Sequence, residues 1–399
     1  MQSSSPKTRI AFFFDPWLLC AVLALLGLGL LMVTSASMVV SDRQFGGGFH
    51  FFLHQLLYLL VGLSIGVAGL CVSLETWQKW SPILLLAGLI LLVIVLIPGV
   101  GKTVHGSRRW LHFGVLRFQV SEWMKLSMVL FLAGYIVRRQ QEVREQLSGF
   151  IKPLLLLAVV AVLLLMEPDF GATVVIVSVA LGMLFLSGVR LRQFFPLFLL
   201  VGGLFAALAI SAPYRLERIV AFLKPWSHQF DGGYQLTQSL MAFGRGGIWG
   251  LGLGNSVQKL FYLPEAHTDF LFAILGEELG LIGQGVVFLL FAIVVGRAMV
   301  IGRRAYRETR YFASYTAYGL GLWIGMQAII NIGVNMGVLP TKGLTLPFMS
   351  YGGSSLLSVC LAAAIVLRVY HEHACIHYQD NARGPRYLTV HVTTQQGRV

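Results

Sequence analysis

Charge is what this 399-residue sequence has least of: only 12% of its residues are charged. A soluble globular chain carries about 25%, so a water-facing surface over most of the length is excluded. Cysteine is scarce as well. The four present (Cys20, Cys71, Cys360 and Cys375) show no CxxC spacing and lie in apolar stretches or near the C-terminal end. A disulfide framework or a zinc ribbon is thereby disfavoured, and buried structural thiols are expected. No P-loop, dinucleotide fingerprint or HExxH string occurs, which argues against ATP-driven or zinc-protease chemistry. The first apolar block, about 16–32, lacks a small-residue cleavage site and is expected to be a first membrane span, not a cleaved leader.

What is present is apolar. Hydrophobic residues make up 56% of the chain and mean hydropathy is +0.76. A helix needs about 20 mainly apolar residues to cross the hydrocarbon core. That rule predicts an all-α polytopic membrane protein with about ten spans: 15–37, 49–73, 80–98, 119–137, 152–167, 170–188, 193–212, 269–298, 311–337 and 347–370. The domain reading is a short N-terminal segment (1–14), a ten-helix transmembrane domain (15–370) and a polar, loosely ordered tail (371–399). Between the seventh and eighth spans runs a loop, 213–268, too long to be structureless. Its apolar stretches Ile219–Leu223 and Ser239–Phe243 predict short interfacial helices, and the run Gly244–Gly254 predicts turns.

The net charge of +13 is spread over short loops, which fits topology signals and anionic membrane lipids better than nucleic acid. With both termini cytoplasmic, most of the 30 lysines and arginines fall on the inner side. The exceptions cluster. Lys102, Arg108, Arg109 and Arg117 precede the fourth span. Arg215, Arg218, Lys224, Arg245 and Lys259 lie in the long loop, and Lys342 precedes the tenth span. Positive charge kept outside against the topological bias predicts a ligand carrying phosphate.

Several polar residues can carry chemistry. Asp269, expected at the start of the eighth span, is either a helix-capping carboxylate or a general base whose pKa an apolar wall raises. Glu122 and Lys125, three apart on one helix face, form either a structural ion pair or part of a cavity wall. Glu277 and Glu278 lie about two turns further along the eighth span. Gln327, Asn331 and Asn335 form one polar stripe, best read as interhelical hydrogen bonding. Glu167 and Asp169 flank a proline in a tight hairpin, where capping is the simplest account. In 340–355, two prolines and paired glycines break the helix at membrane depth, and broken backbone persists there only when buried in protein or lining a cavity.

Taken together these strings resemble the SEDS family (shape, elongation, division and sporulation). The matching runs include Gly106-Ser107-Arg108-Arg109-Trp110-Leu111, Phe118-Gln119-Val120-Ser121-Glu122 and Glu167-Pro168-Asp169-Phe170-Gly171. Gly250-Leu251-Gly252-Leu253-Gly254-Asn255-Ser256, Leu263-Pro264-Glu265-Ala266-His267-Thr268-Asp269-Phe270 and the closing 340–355 segment complete the set. Gln258-Lys259-Leu260-Phe261-Tyr262-Leu263 and Pro340-Thr341-Lys342-Gly343 are similar to the cell-division branch. One departure is Val120, where the family usually has proline.

The resemblance implies a peptidoglycan glycosyltransferase that polymerises lipid II at the outer face of the bacterial inner membrane during septal wall synthesis. Its implied partners are a class B penicillin-binding protein transpeptidase and divisome regulatory proteins. Asp269 is implied as the catalytic base. Arg215, Arg218, Arg245, Lys259 and Lys342 are candidates for steadying pyrophosphate, and Arg108, Arg109, Glu122, Lys125, His267 and Ser350 complete the expected substrate site. A divalent cation, magnesium or manganese, is left open as a helper, and no ligand cluster in the sequence specifies one. Two rival readings remain: a lipid II flippase and a non-catalytic divisome scaffold.

Overall fold

Length and hydropathy translate directly into the architecture. The computed structural model describes residues 14–382 apart from 105, 106, 114, 115, 212 and 342. In chain order its elements are α1 (Pro16–Phe45), α2 (His50–Cys71), α3 (Leu74–Leu96), β1 (Lys102–Val104), β2 (Ser107–Phe113) and β3 (Leu116–Gln119). Then come α4 (Val120–Arg138), α5 (Gln140–Glu145), α6 (Leu147–Met166), α7 (Phe170–Leu186) and α8 (Leu191–Ser211). The long loop holds α9 (Pro213–Leu223), a 3-10 turn (Pro225–His228) and α10 (Tyr234–Gly246). The chain closes with α11 (Leu271–Arg307), α12 (Tyr311–Asn335) and α13 (Gly353–Ala382).

Eight of these helices are long and apolar enough to cross a membrane: α1, α2, α3, α4, α6, α11, α12 and α13. Two shorter apolar helices, Phe170–Leu186 and Leu191–Leu204, fall where the sixth and seventh spans are expected. The protein is therefore a nearly all-helical polytopic membrane protein. Its lipid-facing positions are apolar, as with Leu155, Val159 and Val162 on α6 and Phe198, Leu199 and Leu200 on α8, all exposed.

Local chemistry sets the helix ends. Asp15 caps α1, accepting from the Leu18 amide at 2.9 Å with Pro16 in the first turn, and Gly46 ends it in the left-handed conformation at φ 69°. Ser73 caps α3 on the Thr76 amide. Val120 occupies the first turn of α4, fully buried, where proline's fixed φ is not needed to start the helix.

Two features depart from the sequence reading. Lys102–Val104, Ser107–Phe113 and Leu116–Gln119 form a three-stranded antiparallel sheet, β1-β2-β3, with Trp110 opposite both Lys102 and Gln119. The alternation of Ser107–Phe113 is a strand signal too short to stand out between long apolar helices. The second departure is α13, which continues to Ala382, past the expected end of the span at 370. Glu372 holds it there, accepting from Arg310 at 2.5 Å, Arg368 at 3.0 Å and the Leu74 amide at 3.0 Å. His373 pairs with Glu308 beside it.

α11 is broken inside the bundle. Gly280 takes φ 65°, ψ −163°, and the groups freed by the break pair with the glycine-rich loop that follows α10. Leu281 and Ile282 donate to the carbonyls of Gly247 and Ile248, while Leu251 and Gly252 donate to those of Glu277 and Glu278. Irregular backbone at membrane depth is satisfied here by other backbone, as a dry environment demands.

Candidate active site on one face of the bundle

The small sheet, the α6–α7 turn, the turn before α11 and the 343–354 stretch come together at one end of the bundle. Asp269 lies there in the turn ahead of α11. It does not cap the helix; Phe270 occupies that position, with its amide donating to the Glu265 carbonyl at 3.2 Å. Two amides on α12 hold the Asp269 backbone instead. Asn331 Nδ2 and Asn335 Nδ2 donate to the Asp269 carbonyl at 2.8 and 2.9 Å, and Asn335 Oδ1 accepts from the Ala273 amide at 3.1 Å. The stripe expected to join helices does so, and in doing so it mounts Asp269.

The Asp269 carboxylate faces Gly343, where an added Cβ would lie 3.0 Å from Oδ2. Burial pushes its pKa up to about 7, helped by the negative charges of Glu265 and Asp169 and opposed by Arg109. His267, two residues earlier, sits between aromatic rings, 4.8 Å from Phe51 and 5.6 Å from Tyr351 by centroid. Burial lowers its pKa, so the ring is neutral near pH 7. Its carbonyl accepts from the Tyr351 amide at 2.9 Å, tying the loop to the 340–352 segment.

Arg109, on β2, reaches across to the α6–α7 turn. It donates to the Pro168 carbonyl at 2.7 Å and the Glu167 carbonyl at 3.4 Å, and lies 3.7 Å from Asp169. Asp169 caps α7 through the Ala172 amide and also accepts from Ser121 at 2.9 Å. Capping therefore accounts for Asp169, but Glu167 differs: it is fully buried, and neither carboxyl oxygen has a hydrogen-bond partner. Burial first, then the Asp169 charge, raises its pKa to about 8. Sequence reasoning left this residue out of the site; its only signal was a second acid beside the proline.

Beneath this face, Glu122 and Lys125 pair at 2.8 Å and are buried. Lys125 also donates to Gln327 Oε1 at 2.6 Å, and Gln327 Nε2 donates to the Thr345 carbonyl at 3.0 Å. The pair is thus bonded through Gln327 to the segment bearing Gly343, as part of the wall and away from solvent.

The remaining candidates divide. Arg108 and Arg218 are exposed on β2 and α9, and half-exposed Arg245, in the last turn of α10, lies 3.8 Å from Glu277. Lys259 is a correction: it is buried, donating to Glu278 at 2.8 Å and Ser35 at 3.0 Å, so its charge is consumed inside the fold. Ser350 is another, because its buried hydroxyl accepts from the Leu346 amide at 2.9 Å and closes a turn. Lys342 lies outside the described residues, as do the side chains of Lys102, Arg117 and Arg215. Among the described residues, no group of three or more His, Cys, Asp or Glu is placed to hold a metal ion.

A multi-span helical protein with buried carboxyls gathered at one end of its bundle belongs to the class of polytopic membrane proteins whose buried ionisable residues mark a site. The comparisons narrow this. The family model described as "Cell cycle protein", covering FtsW, RodA and SpoVE, matches residues 16–374, and the chain belongs to that family. A protein of Coxiella burnetii named probable peptidoglycan glycosyltransferase FtsW is 56% identical over 366 residues, 92% of this chain and 98% of that protein. One of the same name from Legionella pneumophila is 54% identical over 372 residues, 93% of this chain and 94% of its own length. Among solved structures, a chain described for the coordination of polymerization and crosslinking by a peptidoglycan synthase complex superposes with TM-score 0.72 at 28% identity, covering 90% of this chain and 98% of that one. The crystal structure of the rod shape determining protein RodA of Thermus thermophilus gives 0.66 at 26% identity, over 90% and 97%.

Proposed function

We propose that this protein is a peptidoglycan glycosyltransferase that polymerises lipid II, with Asp269 as general base. The observation that carries the reading is the Asp269 carboxylate: its backbone is clamped by Asn331 and Asn335, and burial holds its pKa near 7. A base with that pKa is part-deprotonated at working pH and still basic enough to take a proton as a bond forms. Asp269 removes the proton from the 4-hydroxyl of one lipid-linked sugar. The oxygen attacks the anomeric carbon of the second, the new glycosidic bond forms with inversion, and undecaprenyl pyrophosphate departs with the bonding electrons. Arg109, Arg108, Arg218 and Arg245 supply positive charge on the face where that pyrophosphate develops charge.

The Asp269 face is assigned to the outer side of the bacterial inner membrane, with both termini cytoplasmic and the protein enriched at the division septum. A class B penicillin-binding protein supplies the transpeptidase, and divisome regulatory proteins act on the pair. The relatives' names and the likeness to a chain of a peptidoglycan synthase complex support this partnership.

The test is polymerisation of lipid II in detergent by the purified protein with its transpeptidase, read as glycan strands on a gel. Asp269→Asn is expected to lower the rate by about 10²–10⁴-fold, the usual worth of a general base, while co-purification of the two proteins persists. Wild-type rates from Asp269→Asn would remove the base assignment. Passage of labelled lipid II across vesicle bilayers without glycan formation would make the protein a flippase.

A further inference from the structure

Three aromatic rings from three separate segments meet at the edge of the Asp269 turn. Phe51 lies in the first turn of α2, His267 in the turn ahead of α11, and Tyr351 near the end of the 343–354 stretch. Phe51 and His267 have ring centroids 4.8 Å apart, and His267 and Tyr351 5.6 Å. Phe51 meets Tyr351 edge to face at 5.3 Å and 89°, so each ring neighbours the other two. Backbone bonds fix the group. The Tyr351 amide donates to the His267 carbonyl at 2.9 Å, and one turn along α2 Gln55 Nε2 donates to the Ser350 carbonyl at 3.4 Å. The segments that bring His267 and Tyr351 together also bring Asp269 against Gly343. Helical spacing separates Phe51 from the lipid face of its own helix. Leu53, Leu57 and Leu60 form the exposed stripe of α2, whereas Gln55, Tyr58 and Gly62, which share a face with Phe51, are buried. Phe51 thus heads the inward face, yet it is only half-buried, as are His267 and Tyr351.

We propose that Phe51, His267 and Tyr351 form an aromatic wall against which the acceptor sugar lies, the pyranose whose hydroxyl Asp269 deprotonates. The inference rests on the reading of Asp269 as base. A hexopyranose has an apolar face of C–H bonds and a rim of hydroxyls. Aromatic side chains take the first by apolar contact, and a few convergent polar groups take the second. Both kinds are present here, since the imidazole of His267 and the phenol of Tyr351 carry polar atoms on rings that otherwise offer hydrocarbon. A polyprenyl chain, all hydrocarbon, belongs instead on the leucine stripe of α2. Holding the sugar by its ring face fixes which hydroxyl turns toward the carboxylate, so the wall contributes binding and orientation while the proton transfer stays with Asp269.

The experiment measures initial rates of polymerisation by the complex with its transpeptidase as lipid II concentration is varied. Phe51→Leu keeps apolar bulk and removes the flat ring. It is expected to raise the half-saturating concentration about two- to tenfold, the worth of an aromatic contact, with maximal rate and thermal midpoint close to wild type. Phe51→Tyr should restore the wild-type value. Tyr351→Leu reaches the same wall from another segment and should act as Phe51→Leu does, whereas Tyr351→Phe should not. This second pair decides the matter where Phe51→Leu does not fold. A cluster that only packs would lower the thermal midpoint and the maximal rate of the leucine variants and leave the half-saturating concentration unchanged. That result overturns the proposal and leaves the Asp269 reading standing, because the leucine variants retain Asp269. Full polymerisation by Asp269→Asn overturns the base reading, and the assignment of the acceptor sugar with it.

Discussion

At the scale of single residues, the two raised carboxyls have opposite uses. Asp269 must be ionised to act, so polymerisation should fall about tenfold per pH unit below pH 7, measured as initial rate against pH. Glu167 bears on stability. Its pKa rises from 4.5 unfolded to about 8 folded, so the folded protein keeps a proton that the unfolded chain releases. That contribution is fully present below pH 4.5 and is lost as pH climbs through 8. The slope is at most about 1.4 kcal/mol per pH unit. Glu167→Gln should flatten the fall in thermal midpoint between pH 5 and pH 8, and an unaltered slope would assign it to other groups. In the sequence Asp269 stood out as an acid at the head of an apolar span, open between a cap and a base, and the family resemblance is what marked it as the implied base. Glu167 was not: its distinction is the absence of partners, which only the packing of β2 against the α6–α7 turn reveals.

Among the elements, the break in α11 is the most constrained. Any side chain at Gly280 meets the backbone of Ile248 and Gly250 and must also adopt φ 65°. Gly280→Ala is expected to cost about 1–3 kcal/mol from the strained conformation alone, seen as a lowered thermal midpoint in detergent. Lys259 and Glu278 pin the same region. Removing one partner, as in Lys259→Met, leaves a buried charge and should destabilise by about 3–5 kcal/mol, whereas Lys259→Met with Glu278→Leu recovers most of it. The sequence marked Lys259 as a pyrophosphate ligand because it counted charge by loop. A loop that folds back into the bundle turns such a charge into an internal tie, and hydropathy does not see that return. The short helices of the same loop were legible, since their apolar stretches are amphipathic and local. The small sheet was not, because three short strands give little periodic signal.

On the scale of the whole molecule, the assignment of sides follows from where lysine and arginine accumulate, a rule read from the sequence alone. Glu265 is exposed in the turn that carries Asp269, and Arg304 is exposed at the opposite end. In cells, with the four native cysteines replaced, Glu265→Cys should react with a membrane-impermeant maleimide. Arg304→Cys should react only after lysis. The reverse pattern would invert the protein and place the site in the cytoplasm. The helix order was largely legible because each long apolar block is its own signal. The extent of α13 was not, since the bonds that hold it come from Glu308, Arg310 and Leu74, distant in sequence.

The two α12 amides that grip the Asp269 carbonyl separate the address of the base from the identity of the loop before it. The carboxylate's coordinates are written on α12 and not on α9 or the turn that follows it. Stretches of the 213–228 segment are thus exchangeable between relatives with the acid left in register, so grafts there can alter what approaches the site without rebuilding its centre.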